Sequence, residues 1–328
     1  MPTPITDALP APLQWLGIAK EVTPGTGVVP AYFMSPKTIT VKDDPKKVEI
    51  DALRGSMTTV YNVVPTIITG SVEADGYFYP DTDGFPLLGI LSDLTETGAA
   101  APYTHAASLL NSAPGQPHTY TLTHGWGATE ARQRAFGVWD SVNLTFTAAG
   151  VLSITASATT FGSTQVTPVT PALSAATPMP SWVGTLTLGG TANYQLFDGN
   201  VQIKRVATPI EVLNGTQVPG SIFGGTVTVS GKISVVADPA DTIQVQYLND
   251  TQQSMSLLFT QGTGATQESL TLQMSLVDWK VYQLGVEKDY MKGDVDFVAI
   301  ANVTDAGASG GESPIKVTLV NAIPAGVY

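Results

Sequence analysis

The chain has 328 residues and no cysteine, which excludes disulfide bonds and thiolate metal sites, and its length predicts about two domains. Its net charge of −12 argues against a protein that grips nucleic acid electrostatically. Only 13% of the residues are charged, against about 25% in ordinary soluble domains, so we expect much of the surface to be buried against partners.

The first 35 residues are rich in proline and glycine and show no sustained period, which predicts an extended N-terminal arm over residues 1–35. They contain no signal-peptide pattern, and no apolar run in the chain is long enough to span a bilayer, so we expect a protein made and kept in the cytosol. The arm has apolar side chains but no periodicity on which to fold, so we expect it to pack on a neighbouring copy. The residues expected at that contact are Trp15, Ile18, Val28, Val29, Tyr32 and Phe33.

One stretch of the arm, Pro24-Gly25-Thr26-Gly27, superficially resembles a phosphate-binding loop. Such a loop needs a helix start after it and usually a lysine. Here Val28-Val29-Pro30 follows, and the next lysine is Lys37. We therefore interpret the stretch as a turn in the arm.

Residues 36–166 are predicted to form a first β domain, because apolar and polar residues alternate as in half-buried strands. The clearest alternation covers residues 66–79. One segment departs from it: Asp81–Asp93 has leucines at helical spacing after an aspartate suited to an N-cap, which predicts a helix. The other strands predicted here are 38–41, 118–123, 136–147 and 150–160.

Residues 167–182 contain four prolines, too many for a sheet interior, and are predicted to be a linker. A second β domain is predicted over residues 183–328, with a helix at Asp238–Asp250. Pro239 suits the first position of that helix. The strands predicted here are 183–188, 199–206, 225–237, 253–260, 268–286, 294–303 and 314–321.

The two sides of the linker resemble each other. Aligning Gly70 with Gly231 brings the apolar faces of strands 66–79 and 225–237 into the same phase, with four extra residues before the helix in the first copy. Each copy later has a tryptophan that leads a strand, Trp139 or Trp279. These features predict a tandem duplication; the alternative is that all β sequences look alike at this level.

Motifs for chemistry are incomplete in this sequence. Residues 307–311 fit G-x-S-x-G, but a nucleophile elbow needs a later histidine, and all three histidines come earlier. His118 and His124 have no third metal ligand in register. Asp294 and Asp296 share a strand face. Such a pair could be the two carboxylates of a glycosidase, and the alternative is that both simply lie on a solvated face. We therefore predict no catalytic residue, no cofactor, no metal site and no enzymatic activity.

Several short motifs resemble the major tail tube proteins of long-tailed bacteriophages. The first is G-x-x-K-E-x-T-P-G-T at residues 17–26, followed by Leu53-Arg54-Gly55 and by Thr69-Gly70-Ser71-Val72. The Leu-rich stretch at 87–91 and the closing strand at 315–321 continue the resemblance. It covers most of the chain, and its motifs are structural.

The resemblance implies an all-β protein with a few short helices: two tandem tail-tube-like sandwich or barrel domains with one helix each. It implies a structural protein of the virion tail, assembled in the host bacterial cytoplasm, whose copies form stacked rings. Two domains per chain favour trimeric rings of pseudo-sixfold symmetry, with hexameric rings second. Other tail proteins are expected at the tube ends, phage DNA is expected to pass without specific binding, and no membrane partner is expected within the tube.

One strand of each copy, 66–79 and 225–237, is predicted to line the channel, because its polar face carries small hydroxyls and few charges. The alternative is that these faces meet the outside solvent. A different class of function, a virion-surface or secreted carbohydrate-binding β-sandwich, also stays open, because exposed aromatics could stack on a sugar. The predicted lumen residues are Thr69, Ser71, Glu73, Asp75, Thr228, Ser230, Lys232 and Ser234.

Overall fold

The computed structural model describes residues 9, 11–55, 57–112, 115–193, 195–237 and 243–328. Over these residues the protein is almost entirely antiparallel β-sheet with two short α-helices, so the predicted fold class is confirmed. No helix within these ranges is long and apolar enough to cross a membrane.

The first half of the chain, up to residue 166, contains ten strands and one α-helix among its described residues. A 3-10 turn at Ala11–Leu13 precedes the first strand. The elements are β1 (Gln14–Lys20), β2 (Tyr32–Met34), β3 (Thr38–Asp51), β4 (Val60–Tyr77), α1 (Gly84–Gly89), β5 (Ser92–Thr97), β6 (Tyr103–Leu109), β7 (Tyr120–Trp126), β8 (Glu130–Thr147), β9 (Ser153–Phe161) and β10 (Thr164–Val166).

The second half begins after a stretch, 167–179, that has neither helix nor strand. Again a 3-10 turn, Ser181–Val183, precedes the first strand. The elements are β11 (Gly184–Leu188), β12 (Thr191–Asn193), β13 (Leu196–Ile210), β14 (Ser221–Val236), α2 (Ile243–Leu248), β15 (Gln253–Gln261), a 3-10 turn at Gly264–Thr266, β16 (Glu268–Glu287), β17 (Tyr290–Ala299) and β18 (Lys316–Asn321).

Eight strands from both halves form one antiparallel sheet in the order β3-β4-β9-β8-β13-β14-β17-β16, called here the long sheet. Four strands come from each half, and β8 and β13 join the halves at the centre. Apolar side chains alternate along these strands, so one face packs into the core and the other stays polar. Among the buried residues of that core are Val72, Trp139, Ile233 and Val295.

Two further sheets cover the apolar face. The first has the order β2-β1-β7-β8-β10, and the second β12-β11-β15-β16-β18-β6-β5. Strands β8 and β16 are long enough to belong to two sheets each. The first part of each strand lies in the covering sheet, and the last ten or so residues lie in the long sheet.

The strand pairings of the first half recur in the second. Strands β1, β2, β3, β4, β7, β8, β9 and β10 pair with one another as β11, β12, β13, β14, β15, β16, β17 and β18 do. Even the irregularities coincide. Strand β8 is bulged after Trp139 against β9, and β16 is bulged after Trp279 against β17.

The register of this recurrence differs from the sequence alignment by two residues. Val72 pairs with Ala158 opposite Trp139, whereas Gly231 pairs with Phe297 opposite Trp279, so Gly231 corresponds to Val72 and not to Gly70. A Cβ on Gly231 would lie 2.7 Å from the Phe297 ring, so the glycine makes room for the larger partner. At this spacing α1 and α2 also correspond without the four extra residues.

The N-terminal segment differs from its prediction. Strand β1 pairs with β7, and β2 pairs with β1, so residues 14–20 and 32–34 belong to the chain's own sheets. Trp15, Ile18 and Phe33 are buried inside their own chain, so they are not available to contact a neighbouring copy. Between the two strands, Val28 and Tyr32 are half-buried and Val29 is 68% exposed.

Helix α1 is shorter than predicted. Helix α1 starts at Gly84, with Asp83 at the N-cap position, and the chain turns into β5 at Ser92, whose φ of 69° is incompatible with a continuing helix. The predicted start of the second helix, Asp238 and Pro239, lies outside the described residues; within them α2 covers Ile243–Leu248 and ends two residues before the predicted end.

Candidate assembly surface

The long sheet has a strand edge at each end. At one end, β3 pairs with β4 alone among the described residues. At the other end, the last part of β16, from Asp278 to Glu287, pairs with β17 alone within the same ranges. Unpaired edges present rows of backbone donors and acceptors that bind other strands, and natural proteins rarely leave long ones open.

The centre of the long sheet shows what a covered edge looks like. The last residues of β8 pair with β13 from Ser141–Lys204 to Thr147–Asp198. On the core face, Leu144 of β8 is 2% exposed and lies opposite the buried Val201. On the polar face, the Asn200 side-chain amide donates a hydrogen bond to the Asn143 side-chain oxygen Oδ1 at 3.0 Å.

The corresponding residues of the open edge are exposed. Leu284, which takes the place of Leu144 in β16, is 43% exposed, and Val286, in the place of Phe146, is 74% exposed. On β3, Ile39 and Val41 are only half-buried against the core. Both edges therefore carry apolar side chains that their own chain leaves partly uncovered.

The polar face of β4 and β14 carries the predicted lumen residues. Ser71, Glu73, Thr228, Ser230 and Lys232 are exposed, and Thr69 and Asp75 are half-buried. Thr155 of the adjacent β9 donates a hydrogen bond to the Asp75 carboxylate at 2.7 Å. The exposed members can line a surface.

Ser234 departs from the prediction, because it is buried and cannot line an open surface. Its hydroxyl donates a hydrogen bond to Asp294 at 2.6 Å. Partial burial acts to raise the Asp294 pKa, but this hydrogen bond and the Lys232 and Lys292 ammonium groups lower it below its ordinary value. The Asp294 carboxylate is thus a negative charge paired with two lysines on the polar face.

The turn at residues 24–27 wraps around a carboxylate of its own chain. The Gly25 amide donates to Glu21 at 2.7 Å, and the Thr119 and Thr121 hydroxyls donate to the same carboxylate at 2.7 and 2.9 Å. A phosphate would meet this negative charge, so the geometry supports the interpretation as a turn.

The serine of the G-x-S-x-G motif also has a structural partner. In the 307–311 loop, the Ser309 hydroxyl donates to Asp93 at 2.7 Å. Burial, aided by the nearby Arg134 charge, lowers the His124 pKa to about 4, so this histidine is neutral at physiological pH. Within the described ranges, no three His, Asp or Glu side chains cluster in a way that could hold a metal ion.

Comparison with known proteins decides the family. The family model for the phage tail tube protein matches residues 15–319. The chain belongs to this family. The match spans both halves of the tail tube protein and begins at β1, the strand that the sequence analysis had assigned to the arm. Among curated proteins, none matches the chain.

This tail tube protein also has two protruding β-hairpins. The loop joining β3 to β4 and the loop joining β13 to β14 end in fully exposed apolar side chains, among them Leu53, Met57 and Leu213. The second hairpin contacts the first. The Ile68 amide donates a hydrogen bond to the Gln217 carbonyl oxygen at 2.8 Å, and Lys46 forms an ion pair with Glu211.

Sequence reasoning missed the two strand edges of the tail tube protein. Alternation in residues 268–286 predicted the strand β16, but not that its last ten residues lack a second partner strand in the part of the chain that the structure describes. Local alternation gave no signal, because the bulge after Trp279 shifts it: Leu284 and Val286, five and seven residues beyond Trp279, fall on the opposite face of a strictly alternating strand.

Proposed function

We propose that this tail tube protein assembles into rings of three copies, which stack into the tube of the virion tail and conduct the genome during ejection. Each copy supplies two equivalent halves, so a ring of three has pseudo-sixfold symmetry. Assembly takes place in the cytoplasm of the bacterial host, and other tail proteins bind at the tube ends.

The single observation that supports ring formation is the long sheet, with one covered junction at its centre and an open edge at each end. A head-to-tail contact between the two different edges is heterologous, and such contacts close into a ring when the rotation between copies allows it. Three copies close a ring when each copy is rotated by one third of a turn relative to the one before it. The two halves within a copy are then related by half of that rotation.

We also propose that the halves are two tandem domains of one fold, with residues 167–182 as the connection. The recurring strand pairings and coincident bulges support this division. In this proposal β1 and β2 belong to the first domain, because their pairings recur in β11 and β12. The first domain then begins near residue 14 and not at residue 36.

Electron microscopy of the purified protein tests ring formation. We expect tubes or stacked rings, with mass per ring equal to three chains. A ring mass of six chains would replace the trimer with a hexamer. Isolated two-lobed particles at all concentrations would overturn the proposal and favour the carbohydrate-binding alternative.

The conduit role depends on the polar face of the long sheet. Acidic residues there, such as Glu73 and Asp296, together with hydroxyls and few free cations, give phosphates no site to grip. Glu73→Lys keeps an exposed strand residue polar, so assembly should be unchanged, but each new phosphate contact should slow ejection more at low salt than at high salt.

Glu73→Gln is the matched control, since it removes the anion at the same position without adding a cation and should not slow ejection. Glu73 is chosen over Asp75 because Asp75 accepts a hydrogen bond from Thr155, so its replacement would also disturb the sheet. Equal ejection rates for Glu73→Lys and the unmodified protein at low salt would place Glu73 outside the channel.

A further inference from the structure

We propose that the long sheet continues from copy to copy, with β16 of one copy paired to β3 of a second copy in the register of the internal β8–β13 junction. The inference rests on the proposed ring and adds to it the identity of the contacting strands and their alignment. It specifies which residue of one copy lies opposite which residue of the next.

The correspondence between β8 and β16 is fixed by two landmarks. Both strands are bulged just after their tryptophan, Trp139 or Trp279. Both also have a second bulge at the point where they leave the covering sheet, before Gly137 in β8 and before Val277 in β16. Both landmarks give the same spacing, so Leu144 corresponds to Leu284 and Phe146 to Val286.

The correspondence between β3 and β13 follows from pairings across the sheet. In the first half, Val41 pairs with Val72, which leads through Ala158 to Trp139. In the second half, Val201 pairs with Gly231, which leads through Phe297 to Trp279. Val41 therefore corresponds to Val201.

The internal pairs can now be transferred to the contact between copies. Leu144–Val201 becomes Leu284–Val41, and Phe146–Gly199 becomes Val286–Ile39. On the polar face, Asn143–Gln202 becomes Gln283–Lys42.

This register places apolar residues opposite apolar residues and polar residues opposite polar residues. It places the exposed Leu284 and Val286 against the half-buried Val41 and Ile39, so the uncovered apolar area of both edges is removed from water. It leaves Gln283 and Lys42 together on the polar face, where both are exposed in the single chain. A shift of one residue would place polar side chains against the core and apolar ones on the polar face.

The helices give independent support for the same neighbour. Helix α1 lies beside β18 of the second half, with Gly84 next to Leu319, and all its residues are buried. By the same step along the ring, α2 would face β10 of the next copy. In the single chain only Ile243 of α2 is buried, and Leu248 is 72% exposed, as expected for a helix whose covering strand belongs to another copy.

Engineered disulfides test the register, and the absence of native cysteine makes the result unambiguous. Gln283→Cys combined with Lys42→Cys replaces two exposed side chains, so each subunit should fold normally. After assembly and mild oxidation, we expect covalent dimers and closed trimers on a non-reducing gel, all reverting to single chains on reduction.

Two control variants define the outcome. Asn143→Cys with Gln202→Cys, at the internal junction, should form a disulfide within one chain and no ladder. Gln283→Cys with Asp44→Cys is two residues out of register, where the Cα atoms lie about 7–8 Å apart, too far for an easy disulfide. A second in-register pair, Gly285→Cys with Thr40→Cys, replaces the first if the Gln283–Lys42 variant assembles poorly.

The outcomes separate the register from the proposed function. Tubes that cross-link through Asp44, or through none of these pairs, would overturn the register while the ring stands. Failure of the unmodified protein to form any ring or tube would overturn the proposed function itself. Ladders from both in-register pairs but not from Asp44 would support the inference.

Discussion

Strand β8 is covered on its outer side by β13, whereas its counterpart β16 ends at an open edge, and the two sets of side chains have opposite exposure. Leu144 and Phe146 are core residues of the folded chain, while Leu284 and Val286 meet solvent. The same apolar alternation thus makes a core in the first half and an exposed apolar edge in the second.

The helices repeat the contrast. Helix α1 is enclosed by β5, β6 and β18, and its leucines are fully buried. Helix α2 packs mainly on β16 and leaves Val245 and Leu248 exposed. Strands β5 and β6 have no counterpart between α2 and β15, where only a short turn stands. The second half is thus the less complete unit, and its missing cover must come from another copy in the proposed assembly.

Replacing either of the two corresponding leucines, Leu144 or Leu284, by aspartate should give the largest difference between the halves. Leu284→Asp should leave a folded, soluble subunit and abolish tubes, because assembly would bury an unpaired carboxylate. Leu144→Asp should prevent folding, since the same charge would lie in the core of one chain. Circular dichroism and electron microscopy of both variants give the readouts; normal tubes from Leu284→Asp would remove β16 from the interface.

The helix pair should show a smaller, graded difference. Leu88→Ala removes a fully buried side chain, and such changes cost about 2–5 kcal/mol in the free energy of unfolding. Leu248→Ala, at an exposed position, should cost about 0.5 kcal/mol or less in the single subunit. Urea unfolding of unassembled protein measures both values. Similar losses for the two variants would mean that α2 is covered within its own chain.

Asp83, at the N-cap position of α1, should give a difference that depends on pH. The corresponding position of the second half is Thr242, which lies outside the described residues. Burial raises the Asp83 pKa to about 8, helped by the nearby Asp81 charge and opposed by the hydrogen bond from the Tyr79 amide. The folded state therefore holds this proton more tightly than the unfolded state. Stability from this group is full below about pH 4 and is lost as pH rises toward 8.

Asp83→Asn should therefore flatten the fall in stability over that range, by up to about 1.4 kcal/mol per pH unit. Asp250→Asn, an exposed carboxylate after α2, is the matched control and should leave the profile unchanged. Thermal unfolding between pH 5 and 8 is the measurement. A profile of Asp83→Asn parallel to that of the unmodified protein would show that Asp83 does not stay protonated in the folded chain.

Most of the strands could be predicted from the sequence because they are buried on one face, which leaves a two-residue alternation. The predicted strand 136–147 is the later part of β8, and 268–286 is nearly all of β16. Strand β1 was missed for the converse reason. Five consecutive residues of its sequence, Trp15 to Ala19, are buried, so both faces are apolar or small and no alternation appears.

The candidate interface was harder to predict than the strands. The residues of both edges, including Val41 and Leu284, lie in predicted strands, but whether a strand has a neighbour depends on pairing between distant segments. Ser234 shows the same limit, because the alternation predicts a polar face but cannot predict its hydrogen bond to Asp294, which is 60 residues away. Local pattern gives the face of a residue, and only the assembled sheet gives its exposure.

The number of strands that each copy gives to the long sheet also fixes the bore of the proposed tube. Three copies supply about 24 strands, and with a spacing of about 4.8 Å and a tilt of about 40° the wall has a circumference of about 150 Å. The distance across, from backbone to backbone, is then about 48 Å. Strand count sets this calibre, so substitutions on the polar face should change the lining of the bore without changing its width.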